Sequence, residues 1–160
     1  MRIGRISYLN VFPYYQGRGV ERWGPWVEGP PRRLGDMARH GEIDAAPLPV
    51  VDTFQLERDF EPLGFLGIAS RGPVRSVLFF SRKPFDALSG ARVVLTTESA
   101  TSAALTRMLL REENHGKVHF ETGDDAEGAD GYLAIGDHAL RMRRQPGFEF
   151  CTDLGEAWFR

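Results

Sequence analysis

Ala91-Arg92-Val93-Val94-Leu95-Thr96-Thr97-Glu98-Ser99-Ala100-Thr101-Ser102-Ala103-Ala104-Leu105-Thr106-Arg107-Met108-Leu109-Leu110 is the stretch that decides the fold class. Ala91 to Leu95 is a short apolar run rich in β-branched residues, the pattern of a buried strand. Thr96 to Ser99 is a polar turn. A helix is predicted from Ala100 to Asn114, with Leu105, Met108 and Leu109 at i, i+3 and i+4 on one face. A strand handed directly to a helix is the repeating unit of an α/β protein.

The same alternation runs outward in both directions. Downstream, strands are predicted at Lys117 to Glu121, Gly131 to Ile135 and Phe148 to Cys151, with an acidic, Gly-rich loop over Thr122 to Ala129. Gly136-Asp137 opens a helix through Arg144, with Asp137 read as its cap, and Asp153 can cap a last helix from Leu154. Upstream, Arg2 to Ser7, Trp26 to Glu28 and Ile43 to Ala46 read as strands. Asn10 to Gln16, Pro31 to His40 and Val50 to Glu57 read as helices, the first capped by Asn10. Phe60 to Ala69 and Val74 to Ser81 are extended runs on either side of the turn Ser70-Arg71-Gly72-Pro73. The turn-rich segment after Ser81 reads as a connector. The expectation is two α/β lobes with mainly parallel sheets: residues 1–81, a crossover at 82–91, and residues 92–153. A cleft between such lobes, shared by Asn10 and Ser76, is the default ligand site.

Composition narrows the function classes. The 160 residues are 42% hydrophobic and 26% charged, enough for a real core. Lys plus Arg is 20 against 22 Asp plus Glu, so the basic excess of a nucleic-acid surface is missing. No segment reaches the ~20 apolar residues of a membrane span. With one cysteine and no leader pattern, the chain is expected to be soluble and cytoplasmic.

Chemistry-bearing residues gather at strand-to-helix turns. Asn10 is either an N-cap or an amide that donates and accepts to a ligand. Ser76 is either a small residue in a tight strand or a hydroxyl offered to a cleft. Ser99, Thr101 and Ser102 belong to a run with five hydroxyls in seven residues, either capping a helix or forming an oxyanion pocket for a carboxylate or phosphate. Gly136 and Asp137 sit at another such turn. No Gly-x-x-x-x-Gly-Lys, Gly-x-Ser-x-Gly or zinc spacing occurs. The acidic Asp124-Asp125-Ala126-Glu127 lacks a calcium-loop pattern. The inventory offers anion-binding groups and no strong acid–base pair, so no metal and no organic cofactor is expected.

Six stretches carry a family resemblance in order: Ile3 to Asn10, Gly41 to Asp44, Ser70 to Val77, Leu95 to Ser102, Ile135 to Leu140, and Asp153 to Trp158. Together they resemble the chorismate dehydratases of the futalosine route to menaquinone. That resemblance implies a fold similar to the two-lobe (type II) periplasmic solute-binding proteins. It also implies a hydro-lyase that converts chorismate to 3-[(1-carboxyvinyl)oxy]benzoate and water. The family's asparagine and active-site serine map onto Asn10 and Ser76. Ser99, Thr101 and Ser102, with Gly136 and Asp137, map to substrate binding. The family is thought to use the substrate's own enolpyruvyl carboxylate as base, which leaves the protein to orient and to bind anions.

Members of that family continue beyond the tryptophan matching Trp158. The resemblance therefore implies a fold truncated at the C-terminus, with residues 154–160 beginning a segment that returns to the first lobe. A chain of this length is expected to be a homo-oligomer or only marginally stable, with little dehydratase activity alone. Two rival functions remain. The related dihydroxynaphthoate synthase usually carries a Cys-Pro-Asn-Asp type phrase where this chain has Tyr8-Leu9-Asn10-Val11. A non-catalytic small-carboxylate-binding protein would share the fold.

Overall fold

The computed structural model describes residues 1–17, 19, 22–64 and 67–160. It divides the chain into two units, residues 1–69 with 98–101 and residues 70–97 with 102–160.

The first unit holds strand β1 (Ile3–Arg5), a 3-10 helix (Leu9–Tyr15), β2 (Trp26–Glu28), α1 (Pro31–Arg39) and α2 (Val50–Gln55). β1 and β2 pair in parallel. The strand expected at Ile43 to Ala46 is reduced to one parallel bridge, Ile3 to Ala45. Asp44 and Ala45 both direct their N–H to the Arg2 carbonyl, which ends any regular ladder there. α1 opens with Pro31 in its first turn, where the missing N–H is harmless, and stops at His40 before Gly41 at φ +66°. Leu34 and Ala38 bury one α1 face against Ile6, Val11, Ile43 and Leu56. The buried Asp52 of α2 accepts from Arg39 Nη1 at 2.6 Å. A Cβ at Gly35 would lie 2.2 Å from Asp52 Oδ2, so the close approach of α2 to α1 needs glycine there. Of the extended run expected at Phe60 to Ala69, Phe65 and Leu66 lie outside the described residues, and the described remainder forms no strand.

The second unit holds β3 (Val77–Ser81), a short 3-10 turn (Phe85–Ala87), β4 (Arg92–Leu95), α3 (Ala100–Glu113), β5 (His119–Thr122), β6 (Gly131–Ile135), α4 (Gly136–Met142), β7 (Phe150–Asp153) and α5 (Leu154–Phe159). The first two residues of α3 cluster with the first unit. The sheet order is β5-β4-β6-β3-β7. β4 runs parallel to β5 and β6, whereas β3 is antiparallel to β6 and β7. Two expectations are corrected here. The sheet is mixed, and β3 belongs to the second unit, so the chain divides at Ala69/Ser70 and not at 82–91. The reason is the two ladders of β3, which tie it to β6 and β7 along its whole length.

Alternation along the strands sorts the core into two faces. Phe79, Val93, Leu95 and Leu133 point to one face and meet Ala103 and Leu110 of α3 and Leu154 of α5. Leu78, Phe80, Val94, Tyr132 and Ala134 point to the other and meet Ala139 of α4. Leu154 is fully buried, and residues 154–160 cluster with this unit. The buried stripe of α3 is Ala103, Thr106 and Leu110, one step round from the expected face. Leu105 and Leu109 only flank it, and Met108 is exposed.

Asn114 secures the end of α3. Its buried side chain accepts from Leu88 N at 2.7 Å and donates to the carbonyls of Phe85 (2.9 Å) and Leu110 (3.0 Å). Asn114→Ala strands those groups, and a loss on the order of 3 kcal/mol is expected in urea unfolding. A loss below about 0.5 kcal/mol would contradict this role.

Candidate functional site

Strand directions decide where the second unit can hold a ligand. β4, β5, β6 and β7 all deliver their carboxyl ends to the edge from which β3 starts. In open α/β sheets, ligands sit outside the carboxyl ends of strands. Ser76, Thr97, Asp124, Gly136, Asp137 and Asp153 all belong to this edge by their place next to strand ends.

Ser76 precedes β3 and does not lie inside it. Arg75 has φ +69°, which ends the extended run, so the strand begins at Val77. The Ser76 carbonyl accepts from Gly136 N at 2.7 Å. Its half-buried side chain takes no hydrogen bond from any described residue. Gly136, at φ +57°, makes the β6-to-α4 turn in a backbone region that favours glycine. Since its N–H is bound to Ser76, its contribution is the shape of the turn. Asp137 is exposed in the first turn of α4 and is not the cap: Ile135 holds that position, without a side-chain bond.

Two carboxylates brace this edge, and of their roles the sequence announces only the capping one of Asp153. Asp124 accepts from Thr97 Oγ1 at 2.6 Å and from Thr97 N at 3.1 Å, and the hydroxyl bond holds its pKa below the ordinary aspartate value. Asp153 caps α5 through Gly155 N and Glu156 N, as the sequence indicates. It also accepts from Val74 N at 3.0 Å and Arg75 N at 2.6 Å. Desolvation would raise its pKa, but the four backbone donors outweigh that and hold it below the usual value.

The first unit carries the remaining candidates except Ser102. Asn10 is the second residue of the 3-10 helix, and the cap position belongs to Tyr8, which makes no side-chain cap bond. Pro13 supplies no N–H to the Asn10 carbonyl. The Asn10 side chain is exposed and bonded to no described residue. Arg5, Ser7, Tyr8, Tyr15 and Glu28 line an open groove of about 310 Å³, to which the same 3-10 helix contributes Leu9 and Phe12 but not Asn10. Arg5 pairs with Glu28 at 3.7 Å and stacks on Tyr15 at 5.3 Å. Tyr8 Oη donates to Glu98 Oε2 at 3.3 Å, and Arg32 N donates to the Glu98 carbonyl at 3.3 Å. Those bonds anchor Glu98, which leads into Ser99 and Thr101. Ser99 is buried, as is Ser102 in the second unit. Thr101 Oγ1 is shut off from solvent with no hydrogen-bond partner among the described residues. An unsatisfied buried hydroxyl in the first turn of a helix has unused capacity for an anion.

Other chemistry is thin. Among the described residues, no three His, Cys, Asp or Glu side chains gather as a metal site. No described helix is long and apolar enough to cross a membrane. The Cys151 thiol sits on edge strand β7, and desolvation pushes its pKa up, so it is a protonated thiol at neutral pH.

A sequence profile described as menaquinone biosynthesis matches residues 1–160. The chain belongs to the menaquinone biosynthesis family. Within it, the chain is similar to the chorismate dehydratase of Thermus thermophilus, with 32% identity over 145 residues, 87% of this chain and 51% of that protein. It therefore spans about half the length of that curated relative. Among solved structures it matches a protein of Archaeoglobus fulgidus with a TM-score of 0.64 and 15% identity, covering 98% of this chain and 60% of that one. It also matches the periplasmic aliphatic sulphonate binding protein of Escherichia coli, with a TM-score of 0.57 and 17% identity, covering 96% and 59%. The fold is that of the periplasmic solute-binding proteins, as the resemblance implied.

The depressed pKa of Asp153 has a fixed sign. The stability it contributes is present above the ordinary aspartate range and is lost as pH falls through the lower folded value. Asp153→Asn should flatten the acid limb of a Tm-against-pH curve. An unchanged acid limb would contradict the assignment.

Proposed function

We propose that this family member is a chorismate dehydratase, a hydro-lyase that converts chorismate to 3-[(1-carboxyvinyl)oxy]benzoate and water in menaquinone synthesis by the futalosine route. The observation that carries the reading is the 32% identity to the Thermus thermophilus chorismate dehydratase across 87% of the chain.

The chemistry suits the residues present. Chorismate loses one ring proton and the neighbouring hydroxyl, which leave together as water, and the ring becomes aromatic. Aromatisation supplies much of the driving force. The substrate's enolpyruvyl carboxylate takes the proton, so the protein needs no strong base of its own. Asn10 and Ser76 fix the carboxylates and the departing hydroxyl. Their side chains suit this role because no described residue binds them. Ser99, Thr101 and Ser102 receive a substrate carboxylate at the start of α3. The unpartnered Thr101 Oγ1 supports that assignment. Gly136 and Asp137 shape the turn beside Ser76. The reaction proceeds without a metal ion or organic cofactor.

The test incubates the protein carrying this chain with chorismate and follows the aromatic product by mass. Asn10→Ala and Ser76→Ala are each expected to lower turnover by more than tenfold, about 1.4 kcal/mol or more, with little change in Tm. Activity should survive dialysis against EDTA. Chorismate bound but left intact favours a carboxylate-binding protein, and loss of turnover restored by zinc or magnesium contradicts the cofactor-free reading.

A further inference from the structure

We infer that Asp153 is a positioning residue for Ser76, acting through the two peptides that precede it. The inference rests on the reading of Ser76 given above.

A helix cap needs one acceptor oxygen. Asp153 Oδ1 fills that role for α5, accepting from Gly155 N at 2.9 Å and Glu156 N at 3.2 Å. The same oxygen also accepts from Val74 N at 3.0 Å, and Oδ2 accepts from Arg75 N at 2.6 Å. These last two bonds reach back 79 and 78 residues in sequence. They fall on the residues that lead into Ser76.

Backbone conformation makes the hold necessary. Arg75 sits at φ +69°, a region that a residue with a Cβ adopts only when its surroundings enforce it. The bond from its N–H to Oδ2 supplies that enforcement. Gly155 adds a second constraint from the same helix start. A Cβ there would lie 2.4 Å from the Gly72 carbonyl and 2.6 Å from Val74 Cγ2, so the turn presses directly on α5. On the other side, Gly136 N binds the Ser76 carbonyl at 2.7 Å. Ser76 is thus fixed by its backbone from two directions, while its hydroxyl stays unengaged by the described residues. A hydroxyl aimed by its backbone keeps its hydrogen-bonding capacity for the substrate.

Two substitutions separate positioning from mere capping. Asp153→Ser keeps a good N-cap but is too short to reach Val74 and Arg75. Asp153→Asn keeps one carbonyl oxygen for the helix and sets an NH2 against the Arg75 N–H. In both, amide exchange at Arg75 should quicken by about tenfold or more while Gly155 and Glu156 stay protected. Turnover of chorismate should fall about tenfold in kcat with KM little changed. Combined with Ser76→Ala, either substitution should add almost nothing to the loss from Ser76→Ala alone. Wild-type kcat in both Asp153 variants, alongside a large loss in Ser76→Ala, overturns the positioning role. So does unchanged Arg75 protection. Intact turnover in Ser76→Ala is a different failure: it removes Ser76 from the chemistry, and the catalytic consequence of the hold goes with it.

Discussion

The antiparallel placement of β3 between β6 and β7 is the constraint on which the second unit depends. A strand running against its neighbours starts where they finish. That geometry brings the segment before β3 to the carboxyl edge of the sheet, beside the turns that follow β6 and β7. Ser76, Gly136 and Asp153 meet there through hydrogen bonds of 2.6 to 3.0 Å to Ser76 and its two preceding residues. The core supports the arrangement from both sides: Phe79 is fully buried on the α3 face, and Phe80 is nearly so on the α4 face. A slip of β3 by one residue would exchange those faces, so packing fixes the register and the register fixes Ser76.

The first unit solves a related problem with less regular structure. Two three-residue strands and one bridge form its sheet, and aromatic side chains fill out its core. The 3-10 helix carries Asn10 just past the end of β1 and leaves its amide uncommitted. Tyr8 and Arg32 then hold Glu98, which puts Ser99 and Thr101 in the same unit as Asn10 although about ninety residues separate them in sequence.

Much of this was legible in the sequence. The strand–turn–helix reading of Ala91 to Asn114 needs only local periodicity, and the structure keeps it to within a residue or so. Asp153 as a helix cap was also local, and it holds. What stayed hidden was long-range. A strand such as Val77 to Ser81 is apolar on both faces and carries no mark of whether its neighbours run with or against it. The expectation of parallel pairing, and with it the boundary at 82–91, failed for that reason. Asp124 looked like one member of a solvated acidic loop, because nothing in its spacing points to Thr97. The residue types of Asn10 and Asp137 suit helix caps. The backbone instead puts each cap two residues earlier, at Tyr8 and Ile135, and leaves both side chains exposed.

The central proposal is that Asn10, Ser76 and the hydroxyls at the start of α3 serve one anionic substrate. Titration of the isotopically labelled protein with chorismate, read as amide and side-chain chemical shifts, tests it most directly. The account predicts saturable shifts at Asn10, Ser76, Ser99, Thr101 and Ser102 that follow a single binding curve. Shifts confined to other residues, or separate curves for Asn10 and Ser76, would contradict it.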